Sequence, residues 1–265
     1  MKITIPYILK RKAEGKKISM LTAYDHLFAR IVDEAGIDIV LVGDSLCTVV
    51  QGNATTIPVT MDEMIYHTRM VSRGVANAVV VGDMPFLSYQ NSVEEGIRNA
   101  GRFLKEGRAA AVKIEGGANV IDKVRGMISA GIPVMGHVGL LPQSFHQIGG
   151  YKVQGKDDVS AERIVSDAML LESAGVFAIV LEGVPKGLAK RITELISIPT
   201  IGIGAGINCD GQVLVLYDLL GLLSQPHPKF VRPYLLLRDQ ILGAVRHFRD
   251  DVEAQKFPGN DESYH

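Results

Sequence analysis

Eight short apolar runs, rich in β-branched residues and bounded by turn residues, recur along the chain. They are ISMLTAYD (18–25), DIVLVGDS (38–45), AVVVGDMP (78–85), AAVKIEG (110–116), PVMGHVG (133–139), AIVLEGVP (178–185), PTIGIGAG (199–206) and VLVLYDLLG (213–221). The apolar residues are continuous rather than alternating, which is typical of strands buried on both faces of a parallel sheet. We therefore predict eight parallel strands.

Helical stretches with recognisable ends lie between most of these runs. TMDE (60–63) and SVEE (92–95) have the pattern of capping boxes, which begin helices. EAGID (34–38), SAGIP (129–133) and SAGVF (173–177) each end a helical stretch just before a predicted strand, and their glycines fit the left-handed conformation that closes a helix. The alternation of strands and helices, without a break in composition, predicts a single (β/α)8 barrel of the TIM type, with an open doubly wound sheet as the alternative.

The length of 265 residues is near the typical size of such a barrel. We assign residues 1–256 to the barrel domain and residues 257–265 to a flexible C-terminal tail. The amphipathic segment 231–255 is expected to pack on the barrel or on a neighbouring subunit. The connections 47–60 and 140–158 are longer than a barrel needs, and because each follows a strand they could close over a ligand.

Charge and cysteine content narrow the class of protein. Twenty-eight basic and twenty-nine acidic residues give a net charge of −1, so we expect no nucleic-acid partner. Cys47 and Cys209 are too few for a disulfide framework and lack the spacing of a zinc site, which favours reduced thiols in the cytoplasm. No apolar run has the length of a signal-peptide core near the start or of a membrane span elsewhere, so we expect a cytoplasmic protein without membrane contact.

Polar side chains stand near the carboxyl ends of five predicted strands. These ends form the face of a (β/α)8 barrel on which active sites are built. The residues are Asp44 and Ser45, Asp83, Lys113 and Glu115, His137, and Glu182. A barrel would bring these side chains into one pocket although they are far apart in the chain.

Asp44 and Asp83 follow the same Val-Gly step on adjacent predicted strands, and Glu115 supplies a third carboxylate. Carboxylates without histidine or thiolate partners favour a hard cation, and we predict Mg²⁺ with waters that a substrate can displace. The alternative is that each aspartate only caps the following turn. Lys113 has the same parity as Glu115 and could meet an anionic substrate, unless the two form only a strand-end ion pair.

Glu182 and His137 are candidates for chemistry on the substrate itself. Glu182 ends a very apolar strand and could remove a proton, or it could only bond to a neighbouring loop. His137 either contacts the substrate or satisfies backbone groups. The glycines of IGIGAG (201–206) are a weak dinucleotide signal, since no acidic residue ends a following strand, and they favour close backbone approach instead.

These residues belong to a longer series of motifs that resembles the ketopantoate hydroxymethyltransferase family. The series is LTAYD, VGDS, GDMPF, VKIEGG, GHVGLLPQS, GGYKVQG, LEGVP, IGIGAG and GQVLVLYD, and it covers nearly the whole chain in order. Two small departures are Leu141, where many relatives have threonine, and Tyr217, where some have histidine.

The resemblance implies a barrel of the phosphoenolpyruvate mutase and isocitrate lyase group and a homo-oligomer, typically a decamer. The implied reaction transfers a hydroxymethyl group from 5,10-methylenetetrahydrofolate to 3-methyl-2-oxobutanoate (α-ketoisovalerate), which yields ketopantoate for pantothenate and coenzyme A synthesis. Asp44 and Asp83 would bind Mg²⁺, with Glu115 in or just outside the coordination shell. Ser45 and Lys113 would contact the substrate, and Glu182 would accept the proton.

This reaction explains the residue types. A metal bound by a 2-oxo acid acidifies the carbon beside the ketone. A carboxylate can then remove the proton of that carbon, which forms an enolate. Two other functions stay open. One is a carbon–carbon lyase or mutase on the same barrel, although such enzymes usually carry a cysteine after the fourth strand, where this chain has KIEGG. The other is a binding or assembly protein without catalysis, which would not need every acidic strand-end residue.

Overall fold

The computed structural model describes residues 2–150, 152–223 and 228–264. Its eight strands are all parallel and close into a barrel in chain order. They are β1 (Ile18–Thr22), β2 (Ile39–Val42), β3 (Val79–Asp83), β4 (Ala111–Glu115), β5 (Val134–Gly139), β6 (Ala178–Glu182), β7 (Thr200–Ile203) and β8 (Gly211–Leu214). The predicted (β/α)8 barrel is confirmed, and the open sheet is excluded because β1 pairs with β8.

Helices follow or precede the strands. They are α1 (Ile5–Ala13), α2 (His26–Glu34), α3 (Leu46–Val49), α4 (Met61–Gly74), α5 (Val93–Lys105), α6 (Ile121–Ser129), α7 (Phe145–Ile148), α8 (Asp158–Ala174), α9 (Lys186–Leu195), α10 (Leu216–Leu219) and α11 (Leu237–Glu253). Two 3₁₀ turns, Ala118–Val120 and Pro142–Ser144, lie in the loops after β4 and β5. No helix in the described ranges combines the length and the apolar character that a membrane span requires.

The predicted helix ends are largely correct. Thr60 and Glu63 form the reciprocal capping box at the start of α4. At the start of α5 the structure shows one half of a box, in which Ser92 Oγ accepts a hydrogen bond from the Glu95 amide at 3.1 Å. Glycines 36, 131 and 175 have φ angles of +79°, +81° and +95°, so each adopts the left-handed conformation expected after a helix.

The last predicted strand, 213–221, is wrong in its extent. Strand β8 spans Gly211–Leu214, and Leu216–Leu219 form α10. A short continuous apolar run does not distinguish a buried strand from a buried helical turn, and here it contained both.

The structure divides into two compact units, residues 1–215 and residues 216–265. All eight strands lie in the first unit, and α10 and α11 lie in the second. The wider barrel domain of residues 1–256 and the flexible tail of residues 257–265 stay predictions. Tyr151, in the long connection 140–158, and His265, in the predicted tail, lie outside the described residues.

The barrel interior is a stack of apolar side chains from alternate positions of the strands. Its members include Ile39 and Leu41, Val79 and Val81, Ala111, Met135, Ala178 and Val180, and Ile201, all of them buried. One strand step further along the same inward rows, the side chains become polar on β3, β4, β5 and β6. The apolar layers thus form a rigid floor under the polar residues.

Close packing of the helices around the barrel depends on small residues on the outward rows. A Cβ atom on Gly82 of β3 would lie 2.2 Å from Cδ1 of Phe103, a buried ring of α5. Glycine therefore lets α5 press directly against the strand that carries Asp83.

Candidate active site

Strand register places the predicted polar residues side by side. Asp83 of β3 is the register partner of Lys113 of β4, and Glu115 of β4 is the partner of His137 of β5. Glu182 of β6 is paired with Gly139 of β5, two residues after His137. The structure therefore brings the predicted residues of four successive strands to one edge of the barrel.

Asp44 joins this group from the turn that follows β2. The sequence predicted that Asp44 ends the strand itself, but β2 ends at Val42, which is paired with Gly82. Asp44 therefore lies one step beyond the level of Asp83, and its backbone amide donates a hydrogen bond to Asp83 Oδ2 at 3.2 Å. This contact orients the Asp83 carboxylate toward the turn that carries Asp44.

The group, which we call the acidic cluster, consists of Asp44, Asp83, Lys113, Glu115 and His137. Each of these side chains belongs to a residue that is at most 4% exposed. Lys113 Nζ donates a hydrogen bond to Asp83 Oδ1 at 2.7 Å and lies 3.8 Å from Glu115 Oε1. One ammonium group thus faces three buried carboxylates.

Glu115 and Glu182 flank the imidazole of His137. Its Nδ1 lies 3.5 Å from Glu115 Oε1, and its Nε2 lies 3.3 Å from Glu182 Oε2. Burial lowers the pKa of His137, but the two carboxylates outweigh that effect and raise the pKa to about 9. The two glutamates therefore favour the protonated form of the imidazole that lies between them.

The carboxylates of the acidic cluster differ in how easily they ionise. Burial, followed by the charges of Asp83 and Glu115, raises the pKa of Asp44 well above its ordinary value. Burial also raises the pKa of Asp83, against the opposing effect of Lys113. At Glu115 burial is outweighed by His137 and Lys113, which lower the pKa. Ionisation of both aspartates would therefore leave an excess of negative charge beside the single ammonium of Lys113.

This excess of negative charge supports a metal site at the two aspartates. Two neighbouring aspartates supply oxygen ligands, and a divalent cation between them would keep both ionised. Glu115 Oε1 is a buried acceptor without a hydrogen bond in the described part of the chain. Within the same part, no three histidine, cysteine, aspartate or glutamate side chains are arranged to hold an ion. The residues fit Mg²⁺, which usually takes one or two carboxylates and leaves its other positions to water and substrate.

Ser45 and Glu182 lie at the border of the acidic cluster. Ser45 is half-buried, and its Oγ lies 2.8 Å from the hydroxyl of Tyr24. The side chain of Glu182 is 16% exposed, which makes it more accessible than the carboxylates of the cluster. A ligand that enters the barrel mouth could therefore reach Glu182 while it binds the buried groups.

Two residues of the site were missed by the sequence reasoning. Gln143 reaches the acidic cluster from the loop after β5: its Nε2 donates to Asp44 Oδ2 at 3.1 Å and to the Met84 carbonyl at 2.9 Å. Its backbone amide donates to Glu115 Oε2 at 3.1 Å. Tyr89 completes the network, because its hydroxyl donates to Gln143 Oε1 at 2.9 Å. The signal that could have found Gln143 is its place in the long connection 140–158 after a strand.

A cavity of about 540 Å³ lies beside the acidic cluster, between the loops after β4 and β5 and the first half of α8. It is lined by Gly116, Gly117, Ala118, Asn119, Val138, Gly139, Leu141, Ser144, Gln147, Gln154, Arg163, Ile164 and Asp167. Leu141, one of the two departures noted in the sequence, is part of this wall. The volume is that of an ordinary small-molecule site.

Solved structures similar to this chain share its fold. A 2,3-dimethylmalate lyase, described as a PEP mutase/isocitrate lyase superfamily member, has a TM-score of 0.62 and 17% identity, covering 100% of this chain and 92% of its own. A phosphonopyruvate hydrolase in complex with oxalate and Mg²⁺ has a TM-score of 0.64 and 12% identity, covering 98% of this chain and 93% of its own. These likenesses confirm the barrel fold.

Sequence relatives are much closer. The 3-methyl-2-oxobutanoate hydroxymethyltransferase of Syntrophus aciditrophicus (strain SB) is 55% identical over 263 residues, covering 99% of this chain and 97% of the relative. The protein of the same name from Pelobacter propionicus (strain DSM 2379 / NBRC 103807 / OttBd1) is 56% identical over 263 residues, with the same coverage. A family model described as ketopantoate hydroxymethyltransferase matches residues 2–260. The chain therefore belongs to the ketopantoate hydroxymethyltransferase family.

Proposed function

We propose that this protein transfers a hydroxymethyl group from 5,10-methylenetetrahydrofolate to 3-methyl-2-oxobutanoate and produces ketopantoate for pantothenate and coenzyme A synthesis. The observation that carries the proposal is the convergence of Asp44, Asp83, Lys113 and Glu115 next to Glu182 in a chain of this family. The reaction needs those groups: a site for a cation, a positive side chain for an anionic acid, and a carboxylate that accepts a proton.

Asp44 and Asp83 are the proposed Mg²⁺ ligands. Glu115, whose buried Oε1 has no hydrogen bond in the described part of the chain, is the proposed third carboxylate and would act on the ion directly or through water. When bound, Mg²⁺ would polarise the ketone of the 2-oxo acid. The Asp44 amide and the Lys113 ammonium hold the Asp83 carboxylate, and Gln143 Nε2 holds that of Asp44, so little reorganisation is needed when ligands arrive.

Glu182 is the proposed proton acceptor for C3 of the 2-oxo acid. The imidazole of His137 lies 3.3 Å from Glu182 Oε2, on the side of the carboxylate that faces the acidic cluster. Ser45 and Lys113 are the proposed substrate contacts, and His137 contributes to the same binding surface. General-base catalysis of this kind accelerates reactions by roughly 10² to 10⁴.

The same proposal includes a cytoplasmic enzyme that assembles as a homo-oligomer, in line with the decamers expected from the family resemblance. Cys47 and Cys209 are both free thiols, which suits a reducing compartment. An exposed apolar stripe on α11, formed by Ile241, Val245, Phe248 and Val252, supports the assembly.

The lyase or mutase alternative has less support. Gly116 and Gly117 follow β4 at the place where that alternative requires a cysteine. A glycine there can neither attack nor protonate a substrate carbon.

The first step of the proposed reaction can be tested without folate. The protein is incubated with 3-methyl-2-oxobutanoate and Mg²⁺ in D₂O, and loss of the C3 proton signal is followed by NMR. We expect exchange in the unmodified protein, and we expect EDTA and Glu182→Gln each to reduce its rate by about 10² or more.

Glu194→Gln is the matched control. Glu194 is an exposed glutamate at the C-terminal end of α9, away from the carboxyl ends of the strands that carry the proposed site. It should exchange at the rate of the unmodified protein. If the unmodified protein gives no exchange with Mg²⁺ present, the proposed function is wrong at its first step.

A further inference from the structure

The proposed reaction has a second substrate that the acidic cluster cannot hold. The side chains of that cluster are nearly fully buried and already contact one another, so the space among them suits a small acid and an ion. A reduced folate is a planar bicyclic ring joined to an aminobenzoyl group and a glutamate. It therefore requires a separate space that opens next to the reacting carbon.

Strand pairing and backbone hydrogen bonds connect the walls of the cavity of about 540 Å³ to the segment that carries Glu182, the proposed base. Gly139 in its wall is the register partner of Glu182. The next residue, Leu140, donates its amide hydrogen bond to the Glu182 carbonyl at 2.8 Å. The Gln154 amide donates to the Gly183 carbonyl at 2.8 Å, so a second wall residue is tied to the segment that carries Glu182.

The walls suit a flat ring that carries hydrogen-bonding groups along its edge. Gly116, Gly117 and Gly139 contribute backbone atoms to the walls, and Val138 and Ile164 add apolar area. Side-chain amides stand among them, and Asp167 has one carboxylate oxygen fixed by the Ala118 amide at 2.8 Å. Its other oxygen has no hydrogen bond within the described ranges and could accept from the amino and ring N–H groups of a pterin.

Arg163 supplies the complementary charge at the cavity rim. It is an exposed residue of α8, and it has no carboxylate within ion-pairing distance among the residues that the structure describes. Arg191, on the neighbouring helix α9, is by contrast paired with Glu162. A guanidinium without an ion-pair partner at the rim of this cavity favours an anionic tail such as the glutamate of a folate.

From these contacts we propose that the cavity between the loops after β4 and β5 and the helix α8 binds the reduced-folate donor. The pterin ring lies between the glycine walls with its polar edge on Asp167, and the glutamate tail lies on Arg163. This inference rests on the proposed function, and it adds a binding site for the second substrate of that reaction.

Binding is tested with two probes in isothermal titration calorimetry, under argon and without the 2-oxo acid. One probe is 5-formyltetrahydrofolate, and the other is 6-methyltetrahydropterin, which has the ring system but carries no carboxylate. We expect Arg163→Ala to raise the Kd of the first probe about tenfold and to leave that of the second unchanged, because only the first carries the tail. Asp167→Asn, which retains an oxygen for the Ala118 amide, should weaken both probes.

Arg125→Ala is the matched control, since Arg125 is an exposed arginine of α6 that does not line the cavity. It should bind both probes as the unmodified protein does. The cavity assignment is overturned if Arg163→Ala and Asp167→Asn bind 5-formyltetrahydrofolate as tightly as the unmodified protein, or if Arg163→Ala weakens both probes equally.

The folate-free exchange reaction distinguishes a failure of the proposed folate site from a failure of the proposed function. If the unmodified protein exchanges the C3 proton but the two cavity variants bind folate normally, the reaction stands and the cavity assignment fails. If exchange is absent while the variants lose folate binding as described, the cavity assignment stands as a folate site and the reaction fails.

Discussion

At the scale of single residues, Lys113 balances the charge of the acidic cluster. Its ammonium lies 2.7 Å from Asp83 Oδ1 and 3.8 Å from Glu115 Oε1 in a region closed to water. We predict that Lys113→Met lowers the free energy of unfolding by about 3 kcal/mol, because it leaves buried carboxylates without a counter-charge. Chemical denaturation in the presence of EDTA measures this loss.

The Lys113→Met variant also tests the proposed metal site. If Asp44 and Asp83 bind Mg²⁺, the ion should replace part of the missing positive charge and raise the Tm of Lys113→Met more than that of the unmodified protein. Lys105→Met, at an exposed lysine of α5, is the control and should show neither effect. A Tm of the Lys113 variant that does not respond to Mg²⁺ would contradict a cation site at these aspartates.

Gln143 ties the loop after β5 to the proposed metal ligand. Its amide group donates to Asp44 and to the Met84 carbonyl and accepts from the Tyr89 hydroxyl. We predict that Gln143→Leu weakens Mg²⁺ binding and raises the KM for the 2-oxo acid about tenfold, because a hydrogen bond to a charged group contributes about 1.5 kcal/mol or more. Titration of Mg²⁺ by calorimetry gives the first quantity, and steady-state kinetics gives the second.

The control for this prediction is Gln240→Leu, at an exposed glutamine of α11. Both quantities should then match those of the unmodified protein. Equal Mg²⁺ affinity in Gln143→Leu and the unmodified protein would show that Gln143 does not position Asp44.

These residues show which parts of a site can be read from sequence. Lys113 and Glu115 were predicted because strand parity and the end of an apolar run fix the direction of their side chains. Gln143 lies in a loop without a periodic pattern, and its contact with Asp44 depends on how the chain folds back over 99 positions. The sequence around Gln143 therefore does not predict this long-range contact.

At the scale of secondary-structure elements, Asp33 fixes the start of the strand that carries Asp83. This buried residue of α2 accepts hydrogen bonds from the amides of Ala76, Asn77 and Ala78, with the shortest at 2.7 Å. Burial raises the pKa of Asp33, but these backbone hydrogen bonds outweigh burial and lower it. The carboxylate thereby anchors the segment between α4 and β3.

We predict that Asp33→Asn lowers the free energy of unfolding by about 2 kcal/mol at pH 7, because the charge-assisted hydrogen bonds are lost. Because the pKa of Asp33 is lower in the native protein than in the unfolded chain, its ionised form stabilises the fold fully at pH values above the unfolded pKa of about 3.9. This stabilisation is lost as the pH falls through the native pKa. The difference between the two proteins, measured by urea denaturation, should therefore be constant from pH 8 to pH 5 and shrink below about pH 4. A difference that stays the same down to pH 3 would contradict the role of the charge.

Elements differed in how well the sequence predicted them. The helix closures at Gly36, Gly131 and Gly175 were correct because a left-handed residue has a strong local preference for glycine. The run 213–221 failed because burial makes strand and helix look alike over a few residues, and the turn between β8 and α10 carries no glycine or proline. Barrel closure itself followed from the number and order of the elements.

At the scale of the whole molecule, assembly is the property with the largest structural consequence. Helix α11 carries the apolar residues Ile241, Val245, Phe248 and Val252 at helical spacing, with exposed fractions between 46% and 59%. A stripe of this kind is usually covered by another surface, and the proposed homo-oligomer would cover it with a second copy of the chain. The alternating charged residues on the rest of the helix suit contact with water.

We predict that Val245→Glu combined with Phe248→Glu reduces the molar mass measured by light scattering after size-exclusion chromatography, because buried unpaired carboxylates oppose association. The matched control, Gln240→Glu with His247→Glu, adds two carboxylates to the same helix away from the stripe and should keep the mass of the unmodified protein. Circular dichroism confirms that both variants remain folded. An unmodified protein with the mass of a single chain, or a stripe variant with unchanged mass, would show that α11 does not mediate assembly.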